Sequence, residues 1–281
     1  MNKVAIYADS TCDLSKELLE RHDIKILPLY VNFDQEMYKD GLEITPSELY
    51  AKVDQLGKLP KTSAASVGDF INLFQKELDN GNDVVLFTIG TTLSSTYNNA
   101  LLAKENCDPS RIEIIDSLNL STAIGLQVLK ACKYRDMGMD VHQIKQECDK
   151  HISKVRARFA IESLEYLHKG GRCSGASRLF GTLLQIKPVI AVTNGKLDVD
   201  VKTRGKRKAL EYMLEEIINK KEIVDTDYIM VTHTYADEEA KELQSRLKEV
   251  FTDSKVEITS AGCVISSHCG KGTIGILYIE K

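Results

Sequence analysis

No window of this 281-residue chain approaches the run of about eighteen apolar residues that a membrane-spanning helix needs. The first residues, Met1 to Asp9, enter a strand-like stretch directly, so they do not read as a signal peptide. The seven cysteines are odd in number, widely spaced and without a Cys-x-x-Cys pair. That pattern argues against a disulfide framework and for a reducing, cytoplasmic setting. Cys263, His268 and Cys269 lie close together, but no matching second half follows elsewhere, and no metal site is expected. A net charge of −4 does not by itself imply a polyanionic partner. The common catalytic motifs are also missing. There is no Gly-x-Ser-x-Gly elbow, no Gly-x-x-x-x-Gly-Lys-[Ser/Thr] phosphate loop, and no Gly-x-Gly-x-x-Gly after the first strand. His233 has no metal-ligand spacing to His268 and reads as structural.

What is present suits one large domain or two ordinary ones: 43% of residues are hydrophobic and 28% charged, enough for a full core and a soluble surface. The informative stretch is Val84 to Ala100. An apolar run, Val84 to Ile89, predicts a strand buried on both faces. Gly90 breaks it, Thr91, Thr92, Ser94, Ser95 and Thr96 follow, and a helix is predicted over Tyr97 to Ala103. A strand, a turn of small residues and then a helix present a ligand site at the carboxyl end of a parallel sheet. Ser94 and Ser95 then stand where a helix start favours an anion, or where one of them simply caps the helix.

Strands are predicted at Val4–Ala8, Ile24–Phe33 and Arg111–Ser117. Helices are predicted at Ser15–Arg21, from Thr45 with a capping box to Glu48, and over Val67–Leu78, Ser121–Met137 and Val141–Val155. Leu59 to Ser66 reads as a polar loop. This alternation predicts a helix-covered parallel sheet over residues 1–155. Beyond Arg156 the pattern changes to a mixed α+β unit, 156–281. It has a strand at Ala157–Ile161, a short helix from Leu164 stopped at Gly170-Gly171, and a helix at Ser177–Ile186 closed by Pro188. A hairpin follows around Asn194-Gly195. Helices at 205–220 and Asp237–Phe251 alternate with strands at Tyr228–Thr232, Val256–Ser260 and Thr273–Ile279. The expected fold is α/β with two domains, the first Rossmann-like.

Three hydroxyl-rich segments, Asp9-Ser10-Thr11, Thr62-Ser63 and Thr91 to Thr96, are expected to gather at one rim of the first unit. Arg172 and His268 come from glycine-rich stretches of the second. Together they would suit a small anionic head group. Ser94 with His268, oriented by Asp9 or Asp116, would alternatively make an acyl hydrolase or transferase. The basic run Lys202-Thr-Arg204-Gly-Lys206-Arg207-Lys208 is either a solvated helix start or a dock for an acidic protein. Aromatics do not interleave with its charges, so nucleic acid is not expected.

The motifs taken in order resemble the DegV family, the fatty-acid-binding subunits of bacterial fatty acid kinase. They are Ala8-Asp-Ser-Thr-Cys-Asp13, Tyr38-Lys-Asp-Gly-Leu-Glu-Ile44, Lys61-Thr-Ser63, Leu93-Ser-Ser-Thr-Tyr97 and Ile115-Asp-Ser117. They continue with Leu164-Glu-Tyr-Leu-His-Lys-Gly-Gly-Arg172, Ile186-Lys-Pro188, Lys202-Thr-Arg204 and Ser267-His-Cys-Gly-Lys-Gly272. The resemblance implies a cytoplasmic carrier that holds a long-chain fatty acid such as palmitate and has no cofactor or chemistry of its own. Its carboxylate would be held by Thr62 and Ser94, with Arg172 and His268 nearby. An ATP-dependent kinase would phosphorylate that carboxylate, and the 202–208 run would be a candidate dock for it. Two positions depart from the family pattern: Ser95 replaces a usual glycine, and Lys271 a common proline.

Overall fold

A computed structural model describes residues 2–173, 175 and 186–281. In the first half the strands are Lys3–Asp9 (β1), Ile24–Leu27 (β2), Tyr30–Phe33 (β3), Glu36–Lys39 (β4), Lys61–Ser63 (β5), Asn82–Thr88 (β6) and Ile112–Asp116 (β7). A parallel sheet has the order β2-β1-β6-β7, and β4-β3-β5 form a small antiparallel sheet beside it. The apolar runs of β1 and β6 are buried almost throughout, as central parallel strands must be.

Two expectations change here. The strand predicted over Ile24–Phe33 is two strands in different sheets, because Pro28 has no N–H to continue the ladder. The chain turns at that point, and the Leu29 N–H donates to Ser10 Oγ at 3.1 Å. The predicted loop at Leu59–Ser66 contains β5, which sets Thr62 opposite Val31 of β3. Three residues are too few to show a period in sequence.

The helices of this half follow their caps. Ser15 caps Lys16–Arg21 (α1), and Thr45 with Glu48 boxes the start of Pro46–Leu56 (α2). Val67–Asp79 (α3), Thr96–Lys104 (α4), Thr122–Asp136 (α5) and Val141–Ile152 (α6) complete it. Ten of the fifteen residues of α5 are buried, so it shows no amphipathic stripe. Gly125 lets it approach closely: a Cβ there would lie 2.9 Å from the Cys12 carbonyl oxygen.

The second half holds Val155–Ala160 (β8), Ile186–Thr193 (β9), Lys196–Arg204 (β10), Tyr228–His233 (β11), Lys255–Ser260 (β12) and Ile274–Ile279 (β13). They form one mixed sheet, β10-β9-β8-β13-β11-β12, parallel only between β11 and β12. Asn194 and Gly195 take positive φ, 49° and 77°, at the hairpin turn of β9 and β10. Leu164–Gly170 (α7) comes first; Lys206–Ile218 (α8) and Asp237–Val250 (α9) pack on this sheet, while Cys263–Cys269 (α10) packs against α7 and against α2, β3 and β5 of the first half. Residues 177–185 of the predicted Ser177–Ile186 helix lie outside the described residues. Ile186 opens β9, and Pro188 lies within that strand opposite Lys202. The helix α10 was not foreseen, since its seven residues are too short for a helical pattern.

One apolar core runs through both halves, uniting Phe70, Phe74 and Phe87 with Phe159, Ile190 and Leu277. A polar clamp joins them as well. Asp13 accepts from the Gly262 N–H at 2.8 Å and from Ser121 Oγ at 2.6 Å. Asp40 accepts from the Cys263 and Val264 N–H groups, at 2.7 and 3.3 Å, and from Ser10 Oγ at 2.9 Å. Asp9, fully buried, accepts from the Ile89 N–H at 2.7 Å and from Thr11. These carboxylates therefore meet the free N–H groups at the start of α10 and the end of β6, and among the described residues no cation bonds to them. Burial is the main cause that raises their pKa values, and their mutual repulsion adds to it: Asp9 is pushed up to about 6, and Asp13 and Asp40 also rise.

A raised carboxylate pKa contributes stability below the unfolded value and loses it as pH rises through the folded one. Denaturation of wild type and Asp9→Asn should therefore differ by about 1 kcal/mol more at about pH 5 than at about pH 7, in favour of wild type. A difference that grows toward neutral pH would contradict this account.

Candidate functional site

Beside the clamp lies a cavity of about 280 Å³. Four segments bring their polar groups to it: Thr62 on β5, Ser94 and Ser95 before α4, Arg172 after α7, and His268 near the end of α10. Leu29, Ile89, Leu93, Leu167, Leu197 and Ile265 supply much of its apolar wall.

The closest polar contact links the two halves: Thr62 Oγ1 and His268 Nε2 are 2.7 Å apart. His268 Nδ1 is buried and has no partner among the described residues. A bare ring nitrogen costs less to bury than an unpaired N–H, so the proton belongs on Nε2. His268 then donates to Thr62 Oγ1, which leaves the Thr62 proton free to point at a ligand. Burial, aided by the Arg172 charge, pushes the His268 pKa down to about 4. The ring is neutral at physiological pH.

Ser94 Oγ is 2.8 Å from Thr96 Oγ1 and accepts from the Thr96 N–H at 3.3 Å, at the start of α4. Ser95 makes no capping bond, and its φ of −79° lies in an ordinary region, so the chain tolerates a side chain where glycine was expected. Arg172 is exposed; Nη1 donates to the Gly170 carbonyl at 2.7 Å and Nε to that of Leu93 at 3.4 Å. These bonds hold the guanidinium at the cavity rim.

The structure thus brings together Thr62, Ser94, Arg172 and His268. It does not bring Asp9, Ser10 or Thr11 to the cavity wall, because they serve the clamp. The Thr91 N–H goes to Asp116 at 3.1 Å, and the Thr92 hydroxyl to the Gly195 carbonyl, so these two tie the turn to its surroundings. The pairing of Ser94 with His268 needed for hydrolysis is not formed, since Nε2 faces Thr62 and Ser94 faces Thr96. His233 is buried, with Nδ1 accepting from the Ala236 N–H at 3.2 Å. Cys263 Sγ is 3.3 Å from the Ile44 carbonyl oxygen. No cluster with metal-holding geometry occurs among the described residues. Lys271, in place of the expected proline, pairs with Asp54 at 3.2 Å and lies 4.9 Å from the Tyr50 ring centre.

The basic run straddles the end of β10 and the start of α8. Lys202, Arg204 and Arg207 are exposed, while Lys206 pairs with Glu239 at 2.7 Å. Lys206 Nζ also lies 3.7 Å from where a Cβ on Gly272 would sit, which puts the run beside the segment following His268.

A family profile described as "Uncharacterised protein, DegV family" matches residues 3–281. A DegV domain-containing protein of Clostridium perfringens is 32% identical over 285 residues, covering 100% of both chains. Among solved structures, a fatty-acid-binding DegV family protein from Thermus thermophilus is 29% identical, with a TM-score of 0.92 and 100% of both chains covered. A stearic-acid-binding protein from Eubacterium ventriosum is 31% identical, with a TM-score of 0.89, covering 100% of this chain and 99% of its own.

Nitrogen-15 NMR should show His268 neutral, with its proton on Nε2, from about pH 8 down to about pH 5. Gly170→Ala would set a Cβ 2.5 Å from His268 Nδ1 and should displace the ring from Thr62, costing about 1–3 kcal/mol of stability. A doubly protonated ring at about pH 6 would refute the assignment.

Proposed function

This chain belongs to the DegV family, and we propose that it binds a long-chain fatty acid such as palmitate in the cavity of about 280 Å³. The observation that carries this reading is that Thr62, Ser94, Arg172 and His268, from distant segments, line one cavity whose remaining wall is largely apolar. Each buried methylene contributes about 0.8 kcal/mol, so the tail supplies most of the affinity. The head group is the harder part, because a buried carboxylate without donors is strongly disfavoured. Thr62, its oxygen occupied by His268, has a proton to give, and Ser94 supplies a second hydroxyl.

The carrier has no chemistry of its own: it presents the carboxylate to an ATP-dependent kinase partner, which forms the acyl phosphate. Arg172 supports the extra negative charge that then develops at the head group. The kinase docks beside the cavity on Lys202, Arg204, Lys206 and Arg207, where acidic residues of the partner meet the exposed cations. The protein works in the cytoplasm, as two units meeting near residues 155 and 156.

Native mass spectrometry followed by lipid extraction should find a long-chain acid bound in a one-to-one ratio. Thr62→Val should weaken binding about tenfold, through the lost hydrogen bond to a charged group. Arg172→Gln should lower phosphoryl transfer far more than fatty acid affinity. Equal losses in both would remove the role given to Arg172. A protein that purifies empty and ignores added acids would remove the carrier function.

A further inference from the structure

A second cavity, of about 510 Å³, opens at the last turns of α5. Among the described residues, none lines both it and the head-group cavity. Both halves of the molecule build it. The first half gives His22, just after α1, and one face of α5, where Leu126, Leu129, Lys130, Lys133 and Met137 follow at helical spacing. The second half gives the ends of three strands. Tyr228 opens β11 and lies in register with Lys255, which opens β12, while Ile279 closes β13 on the other side of β11. A volume of this order suits a small organic ligand.

The buried side chains of Leu126, Leu129, Tyr228 and Ile279 give the cavity apolar surface. Its polar groups fall into two sets, and the first is closed. The Asp227 N–H donates to Asp225 Oδ1 at 3.0 Å, and each of these two carboxylates lies 2.7 Å from Lys130 Nζ. Lys133 pairs with Asp227 at 3.0 Å, and Asp136 with Arg135 at 2.9 Å. The second set is open. Lys255 has no carboxylate partner among the described residues; its Nζ lies 4.9 Å from the centre of the Tyr228 ring and 3.4 Å from the Tyr228 hydroxyl. His22 Nε2 is also 3.4 Å from that hydroxyl. Both distances are long for a hydrogen bond, so an ammonium, a phenol and an imidazole gather at one spot without satisfying one another.

We infer that this cavity binds a small aromatic carboxylate, its acid group on Lys255, the Tyr228 hydroxyl and His22, its ring against Leu126, Leu129 and Ile279. The cation that lacks a partner, with two further donors beside it, assigns the acid. Met137, largely exposed at the mouth, assigns the ring, because a flexible thioether packs well on aromatic edges. Asp253, the remaining carboxylate of the lining, is exposed, and its screened charge opposes the acid only weakly. The bound acid bridges α5 to the ends of β11 and β12, and so ties the two halves together at a second place besides the clamp.

The test is calorimetric titration of the full chain, both delipidated and saturated with palmitate, with 2-naphthoate and with its neutral amide. Wild type should bind one naphthoate per chain in both preparations, and the amide about tenfold more weakly. Lys255→Met should bring the acid down to the affinity of the amide. Thr226→Trp, at an exposed position of the lining, should block both compounds, and it decides if Lys255→Met does not fold. Naphthoate that does not bind, that binds no better than the amide, or that binds Lys255→Met as well as wild type overturns the inference. Naphthoate displaced by palmitate overturns it too, because the acid then occupies the head-group cavity, and the fatty-acid reading stands.

Discussion

Of three buried carboxylates, Asp13 and Asp40 hold the two halves of the molecule in register, and Asp9 ties β1 to the end of β6 beside them. They do so by accepting backbone N–H groups, so the contacts are directional and short, and among the described residues no long cationic side chain has to be ordered to make them. Two of the three close on the first residues of α10. The same helix carries His268, whose ring reaches Thr62 on β5 in the other half. The contact between His268 and Thr62 thus depends on the clamp that positions α10. Ionised carboxylates in this setting are strained, which is why burial raises their pKa values. The strain is offset by the hydrogen bonds that the helix start and the strand end would otherwise lack.

The cavity itself is organised by which polar groups are spent and which are free. Near Thr62 and Ser94, a neutral histidine leaves one hydroxyl proton without a protein acceptor. In a small adjoining pocket of about 30 Å³, the hydroxyls of Ser121, Thr232, Thr234 and Thr273 are paired within the wall. Residue type does not separate these two regions, since both are rich in serine and threonine. Hydrogen-bond partnership does: one region keeps a hydroxyl proton without a protein acceptor, and in the other the hydroxyls pair within the wall.

Much of the scaffold is legible in the chain. The apolar run Val84 to Phe87, continued by Thr88 and Ile89, reads as a strand covered on both faces. Thr45 with Glu48, and Ser15 ahead of Leu18, announce helix starts through local hydrogen bonds that need no tertiary partner. Asn194-Gly195 tolerates positive φ, so the hairpin follows. The split at Pro28, the three-residue strand around Thr62 and the short helix Cys263–Cys269 were not legible. Each is too brief to establish a period, and each is held by partners far away in sequence.

The site divides along the same line. Sequence by itself determined the class of fold, the boundaries of most helices and strands, and the residue types able to meet a small anion: Thr62, Ser94, Arg172 and His268. Local physics, in the form of propensity, capping and hydrophobic period, is written in consecutive residues. Only the tertiary structure decided that those four face one cavity and that His268 pairs with Thr62 rather than Ser94. It also decided that Asp9 and Ser10 belong to the clamp. Those outcomes depend on contacts between segments up to about two hundred residues apart, whose geometry is fixed by sheet order and by the burial of charge.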